Sequence, residues 1–107
     1  MATRRYRDYL GRLVLLTDER KRHILLHPEM RPWLKSLGAV LAKPERVIKS
    51  KSEPSAELFY VWKTRTKVGP RYFCAVCIFR PRTAFVVTAY LTDRVKGGET
   101  LWPRNQP

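Results

Sequence analysis

Three stretches in the second half of the chain carry the dense β-branched and aromatic content of strands: Glu57 to Lys63, Arg71 to Phe79 and Thr83 to Leu91. Between them lie Lys67-Val68-Gly69-Pro70 and Arg80-Pro81-Arg82, both good turn chemistry, so an antiparallel meander is the simplest arrangement. Arg46-Val47-Ile48-Lys49 reads as a fourth, shorter strand, and the polar segment 50–55, which contains Pro54, reads as a hairpin or loop.

The first half reads differently. Arg12-Leu13-Val14-Leu15-Leu16 is a short apolar run that could form a strand, and Thr17 and Asp18 then offer N-cap side chains for a helix. That helix extends to about His27, because Pro28 disfavours the α conformation in the residue before it. A second helix begins near Pro32 and places Trp33, Leu37, Val40 and Leu41 on one buried stripe, with Pro44 at its exit. Helices first and strands afterwards predict an α+β fold: N-terminal helices packed on a twisted four-stranded antiparallel sheet. The chain reads as a single domain over 1–107, with 1–10 and 97–107 as tails.

At 107 residues there is room for one core, and 44% apolar content is enough to fill it, which argues against a disordered tail. Charge changes the picture most. Against 22 Lys and Arg stand 9 Asp and Glu, a net +13, so a polyanionic partner is expected and RNA is the leading class. No run of eighteen apolar residues exists and residues 1–9 are basic and polar, so neither a membrane span nor a signal core is expected, and the location expected is cytoplasmic. Cys74 and Cys77 form a C-x-x-C spacing inside a strand, where residues three apart point to opposite faces; that disfavours a shared metal or a mutual disulfide and leaves buried structural thiols.

Both histidines, His23 and His27, fall four apart on the first helix and share a face with Arg20. A metal would need a third ligand, and neither Glu19 nor Glu29 has the placement, so no metal and no cofactor are expected. On the last strand Thr88 and Tyr90 are two apart and share a face, with Ala84 and Val86 on that face and Phe85, Val87 and Ala89 on the other. Metal-independent RNA cleavage needs a base for the ribose 2′-OH, charge on the phosphorane and an acid for the leaving 5′-oxygen. Histidine suits the first and last roles, and Lys or Arg the second. Tyr60, Trp62, Tyr72 and Tyr90 add rings on which unpaired bases stack, although large rings equally build cores.

A resemblance adds to this reading. The order of Arg22-His23-Ile24 and His27-Pro28-Glu29, then Val40-Leu41-Ala42-Lys43-Pro44-Glu45-Arg46-Val47, Tyr60, Tyr72-Phe73-Cys74-Ala75-Val76, Val87-Thr88-Ala89-Tyr90, and finally Lys96-Gly97-Gly98 with Leu101-Trp102 resembles the phage-associated branch of the barnase, EndoU, colicin and RelE-like (BECR) nuclease group over nearly the whole chain. The resemblance implies a metal-independent endoribonuclease, toxin-like or a phage-element effector. It implies catalytic roles for His23 or His27 with Thr88 and Tyr90, and phosphate or RNA contacts are expected from Arg20, Arg22, Arg71, Lys96 and Tyr60. An active nuclease must be restrained in the cell, so an acidic inhibitor or immunity protein is expected as partner. The alternative expectation is a non-catalytic basic RNA-binding or ribosome-associated module using the same residues.

Overall fold

The computed structural model describes residues 3–104. Among these residues seven strands form one mixed sheet: β1 (Arg4–Arg7), β2 (Leu13–Leu16), β3 (Arg46–Ser50), β4 (Ala56–Lys63), β5 (Arg71–Phe79), β6 (Ala84–Thr92) and β7 (Gly98–Trp102), in the spatial order β1-β2-β6-β5-β4-β3-β7. Two short helices, α1 (Asp18–Leu25) and α2 (Leu37–Ala42), and 3-10 turns at Pro28–Met30 and Leu34–Ser36 cover one face. The expected four-stranded antiparallel sheet is therefore corrected. The meander β4-β5-β6 and β3 are present and antiparallel, but β2 joins β6 in parallel at Leu15↔Phe85, and the segments read as tails supply both edge strands, β1 and β7.

Local chemistry accounts for the helical elements. Thr17 is the N-cap of α1, its hydroxyl accepting from the Arg20 N–H at 3.2 Å, with Asp18 and Glu19 in the first turn and Arg22 and His23 in the last. The second helix is shorter than the stripe predicts. Trp33 to Ser36 close i→i+3 hydrogen bonds, and the α conformation takes over only at Leu37, yet Leu37, Val40 and Leu41 are buried as the stripe requires. At Gly38 an added Cβ would lie 3.1 Å from the Tyr6 ring, so a side chain here would crowd the contact between α2 and β1.

The core lies between these helices and the sheet: Ile24, Met30, Leu37, Val40 and Leu41 against Val14, Leu16, Val47, Phe59, Phe73, Ala75, Cys77, Val86 and Ala89. The sheet curls until its first hairpin meets its last strand. Tyr9, between β1 and β2, packs edge-on to Phe59 with centroids 6.0 Å apart and lies 5.7 Å from Trp102 of β7. Arg12 fixes that closure. Its guanidinium pairs with Asp8 at 2.7 Å and Glu57 of β4 at 2.8 Å and sits 3.7 Å over the Phe79 ring. Burial opposes its charge, but the hydrogen bonds to Glu57 and Asp8 outweigh that and raise its pKa.

Candidate functional site

The face of the sheet away from the helices carries a second cluster: Ile48, Leu58, Tyr60 and Cys74, with Tyr72, Val76, Tyr90 and Val95 against it. Strand register arranges its side chains in rows. Tyr60, Cys74 and Tyr90 stand opposite one another across β4, β5 and β6, and Leu58, Val76 and Thr88 form the next row. Trp62, Tyr72 and Thr92 form the row on the other side. Tyr72 joins two of these rows, edge-on to Trp62 at 4.8 Å and to Tyr60 at 5.9 Å.

A β-bulge decides which groups reach this face. Cys77 pairs with Val86 and Val76 with Thr88, so Val87 is an extra residue in β6. Simple alternation would place Val86 on the face of Thr88 and Tyr90. Instead Ala84, Val86 and Ala89 all enter the helix-side core, while Tyr90 and its i−2 neighbour Thr88 turn to the helix-free side. Arg20 of α1 donates to the Val87 carbonyl at 3.3 Å and also pairs with Glu19 at 3.5 Å. The arginine expected on phosphate thus serves the bulge.

Next to Thr88 the same face opens into a cleft of about 370 Å³. Its floor is apolar, from Leu58, Val76, Ile78 and Val87, and its rim includes Ser50, Lys51, Glu53 and Lys96. The segment through Lys96 crosses the sheet because the Lys96 N–H donates to the Tyr60 hydroxyl at 3.1 Å, and β7 then starts at Gly98, where any Cβ would collide with the Lys49 carbonyl oxygen. Arg80 lies 5.6 Å over the Phe85 ring, and Arg46 is exposed opposite Tyr60 at the start of β3.

Electrostatics fix the protonation state of the inner row. Burial raises the pKa of Tyr60 and of Tyr90 well above the ordinary phenol range, so both are neutral hydrogen-bond donors near pH 7. Burial also pushes the Cys74 thiol up to about 11, against the opposing pull of hydrogen bonds from Tyr90 and Tyr60 and the charge of Lys96. Tyr60 and Cys74 are fully enclosed and spend their hydrogen bonds within the row and on the Lys96 N–H, and Tyr90 alone of the three is partly exposed. None of the three is poised to take a proton at neutral pH.

The residues singled out in the sequence therefore separate into two sets. Tyr60, Thr88, Tyr90 and Lys96 come together on the helix-free face. His23 and His27 are exposed around the C-terminal end of α1, whose Ile24 is buried against the other face of the sheet, and Arg22 is exposed on the same helix. No hydrogen bond or ion pair among the described residues joins either imidazole to Thr88 or Tyr90, and neither histidine lines the cleft beside them. Arg71, at the start of β5, donates to the Pro70 carbonyl at 2.9 Å and is out of phase with Tyr72, so it belongs to the helix side. Lys51 and Arg80 were not singled out; their signal was cationic residues in the turns flanking period-2 strands.

Among the described residues no three His, Cys, Asp or Glu side chains gather as a metal site, and no helix is long and apolar enough to cross a membrane. Cys74 and Cys77 are both buried with free thiols and lie on opposite faces of the sheet. Compared with protein-family models, curated proteins and solved structures, the chain matches none of them.

Proposed function

We propose that the protein binds RNA in its single-stranded form through the helix-free face, and that it works in the cytoplasm, where its two buried free thiols suit a reducing compartment. The observation that carries this reading is the placement of the partly exposed Trp62–Tyr72 pair on the same sheet face as a cleft edged by Lys51 and Lys96, on a chain of net charge +13. Exposed rings offer stacking surfaces to unpaired bases and cations track the backbone, a combination suited to single strands rather than to a closed duplex. Fluorescence anisotropy with a labelled single-stranded RNA across a salt series tests it. Binding weakens steeply with salt, and Arg46→Ala, Lys51→Ala and Lys96→Ala together lower affinity and flatten the salt slope, whereas His23→Ala with His27→Ala changes neither. Equal slopes for the triple variant and the parent protein overturn it.

Cleavage of the bound RNA is a second reading, favoured by the gathering of Thr88, Tyr90, Tyr60 and Lys96 beside one cleft. Such a site would stabilise the phosphorane charge while the ribose 2′-oxygen attacks phosphorus and the P–O5′ bond breaks; the 2′-OH proton would pass to solvent water, since no group of the row is a base at neutral pH, and the neutral Tyr90 hydroxyl would protonate the leaving 5′-oxygen. An acidic protein covering the same face would be its inhibitor. Incubation of the purified protein with total RNA and with tRNA in EDTA decides the matter. Products with 2′,3′-cyclic phosphate ends that disappear in Tyr90→Phe and Lys96→Ala establish cleavage here, and intact RNA under all these conditions removes it.

A further inference from the structure

A second cleft lies at the turn between β4 and β5, and none of the groups of the helix-free site lines it. It measures about 470 Å³, the size of a small-ligand site, and its lining includes Trp33, Lys35, Ser36, Arg65, Thr66 and Lys67. No acidic residue lines it, and no ion pair among the described residues involves Lys35, Arg65 or Lys67. Lys63 adds a fourth cation, its Nζ 5.4 Å from the centroid of the Trp33 ring.

Two independent segments build this site. Lys35 sits in the 3-10 turn Leu34–Ser36, which the Ser36 N–H closes onto the Trp33 carbonyl at 2.8 Å. Arg65 and Lys67 flank Thr66, whose hydroxyl donates to the Gly69 carbonyl and accepts from the Val68 N–H, so the turn that presents them is fastened by its own side chain. Cations held together by separate elements repel one another, and an anion between them removes that repulsion. Three positive side chains match the charge and the three terminal oxygens of a phosphate monoester, with Arg65 able to take two of them at once. The partly buried indole of Trp33 supplies a flat apolar wall beside them.

We propose that this cleft is a nucleotide site: Lys35, Arg65 and Lys67 hold a terminal phosphate monoester and Trp33 receives the flat face of the attached base. The ligand is a free nucleoside monophosphate or the 5′-phosphorylated end of an RNA, and the site stands independently of RNA binding on the helix-free face. In NMR titrations, adenosine 5′-monophosphate shifts the Trp33 indole N–H and the amides of 65–67, while adenosine at the same concentration does not. Lys35→Ala with Arg65→Ala weakens the nucleotide by about tenfold or more, and because both side chains are exposed the fold is retained, as an unchanged melting temperature shows. Equal shifts from the nucleotide and the nucleoside, or an unaltered affinity in the double variant, overturn the proposal. A single-stranded RNA with a 5′-phosphate that binds about tenfold tighter than its 5′-hydroxyl counterpart, with the preference lost in the double variant, assigns the RNA end. Equal affinity for the two RNAs, with mononucleotide binding intact, assigns the free nucleotide.

Discussion

The two faces of the sheet are made from the same strands but from different chemistry. Toward the helices, β4 and β5 present Phe59, Phe73, Ala75 and Cys77, fully buried and closed over by Leu37, Val40 and Leu41. Away from them the same strands present Leu58, Tyr60, Trp62, Tyr72 and Cys74, with hydroxyls and a thiol in reach of one another and Trp62 still 42% exposed. The contrast teaches that the helical side is closed throughout, while the helix-free side is closed at its inner row and open at Trp62, which is where the proposed RNA contact would begin.

Truncation on the covered face breaks the fold first. Phe73→Ala is expected to cost about 3–5 kcal/mol, read as a fall in denaturant midpoint, because the cavity is enclosed on every side. Tyr72→Ala, one residue along on the other face and partly exposed, should cost well under half as much. Comparable losses would erase the distinction between the faces.

Alkaline pH probes the inner row next. Cys74 has a folded pKa of about 11 against an ordinary 9.0, so its contribution is complete below about pH 9 and is lost as pH rises through 11. That one group accounts for roughly 3 kcal/mol at most, and Tyr60 and Tyr90, raised in the same direction, steepen the decline. Urea melts at pH 8, 9, 10 and 11 measure it, and a flat profile contradicts the burial described for the row.

Smaller still is the effect at the closure. Arg12→Ala leaves the Asp8 carboxylate, whose side chain is 0% exposed, with only the backbone donors of residues 10 and 12, and should cost about 2 kcal/mol without changing RNA affinity. The mirror image is Trp62→Ala. It should lower single-stranded RNA affinity by about tenfold while shifting stability by less than about 1 kcal/mol, the pattern of a stacking platform rather than a core ring.

Much of this architecture could be read from the chain, and the parts that could not share a cause. Arg71–Phe79 is a strand at the bounds its apolar run indicates, and Thr17 caps α1 as its side chain suggests, because both depend on neighbours in sequence. Arg4–Arg7 is a strand only because Arg5 stands opposite Leu15, and Gly98–Trp102 only because Val47 to Ser50 receive it. The parallel contact of Leu15 with Phe85 joins segments seventy residues apart, which no local pattern encodes. At the site, the shared face of Thr88 and Tyr90 was legible from period-2 spacing. That Val86 does not share this face was not legible, because the bulge at Val87 reverses the phase of the strand between Val86 and Thr88.

The arginines of β1 have one more consequence. A sheet with free rims can recruit the backbone of a neighbouring molecule and grow without limit, and Arg4, Arg5 and Arg7 place exposed positive charge along the whole of one rim. Two copies approaching there would meet like charge against like charge. The excess cations that draw a polyanion would thereby also discourage fibre formation by this chain, and neutralising that strand would be expected to expose the hazard.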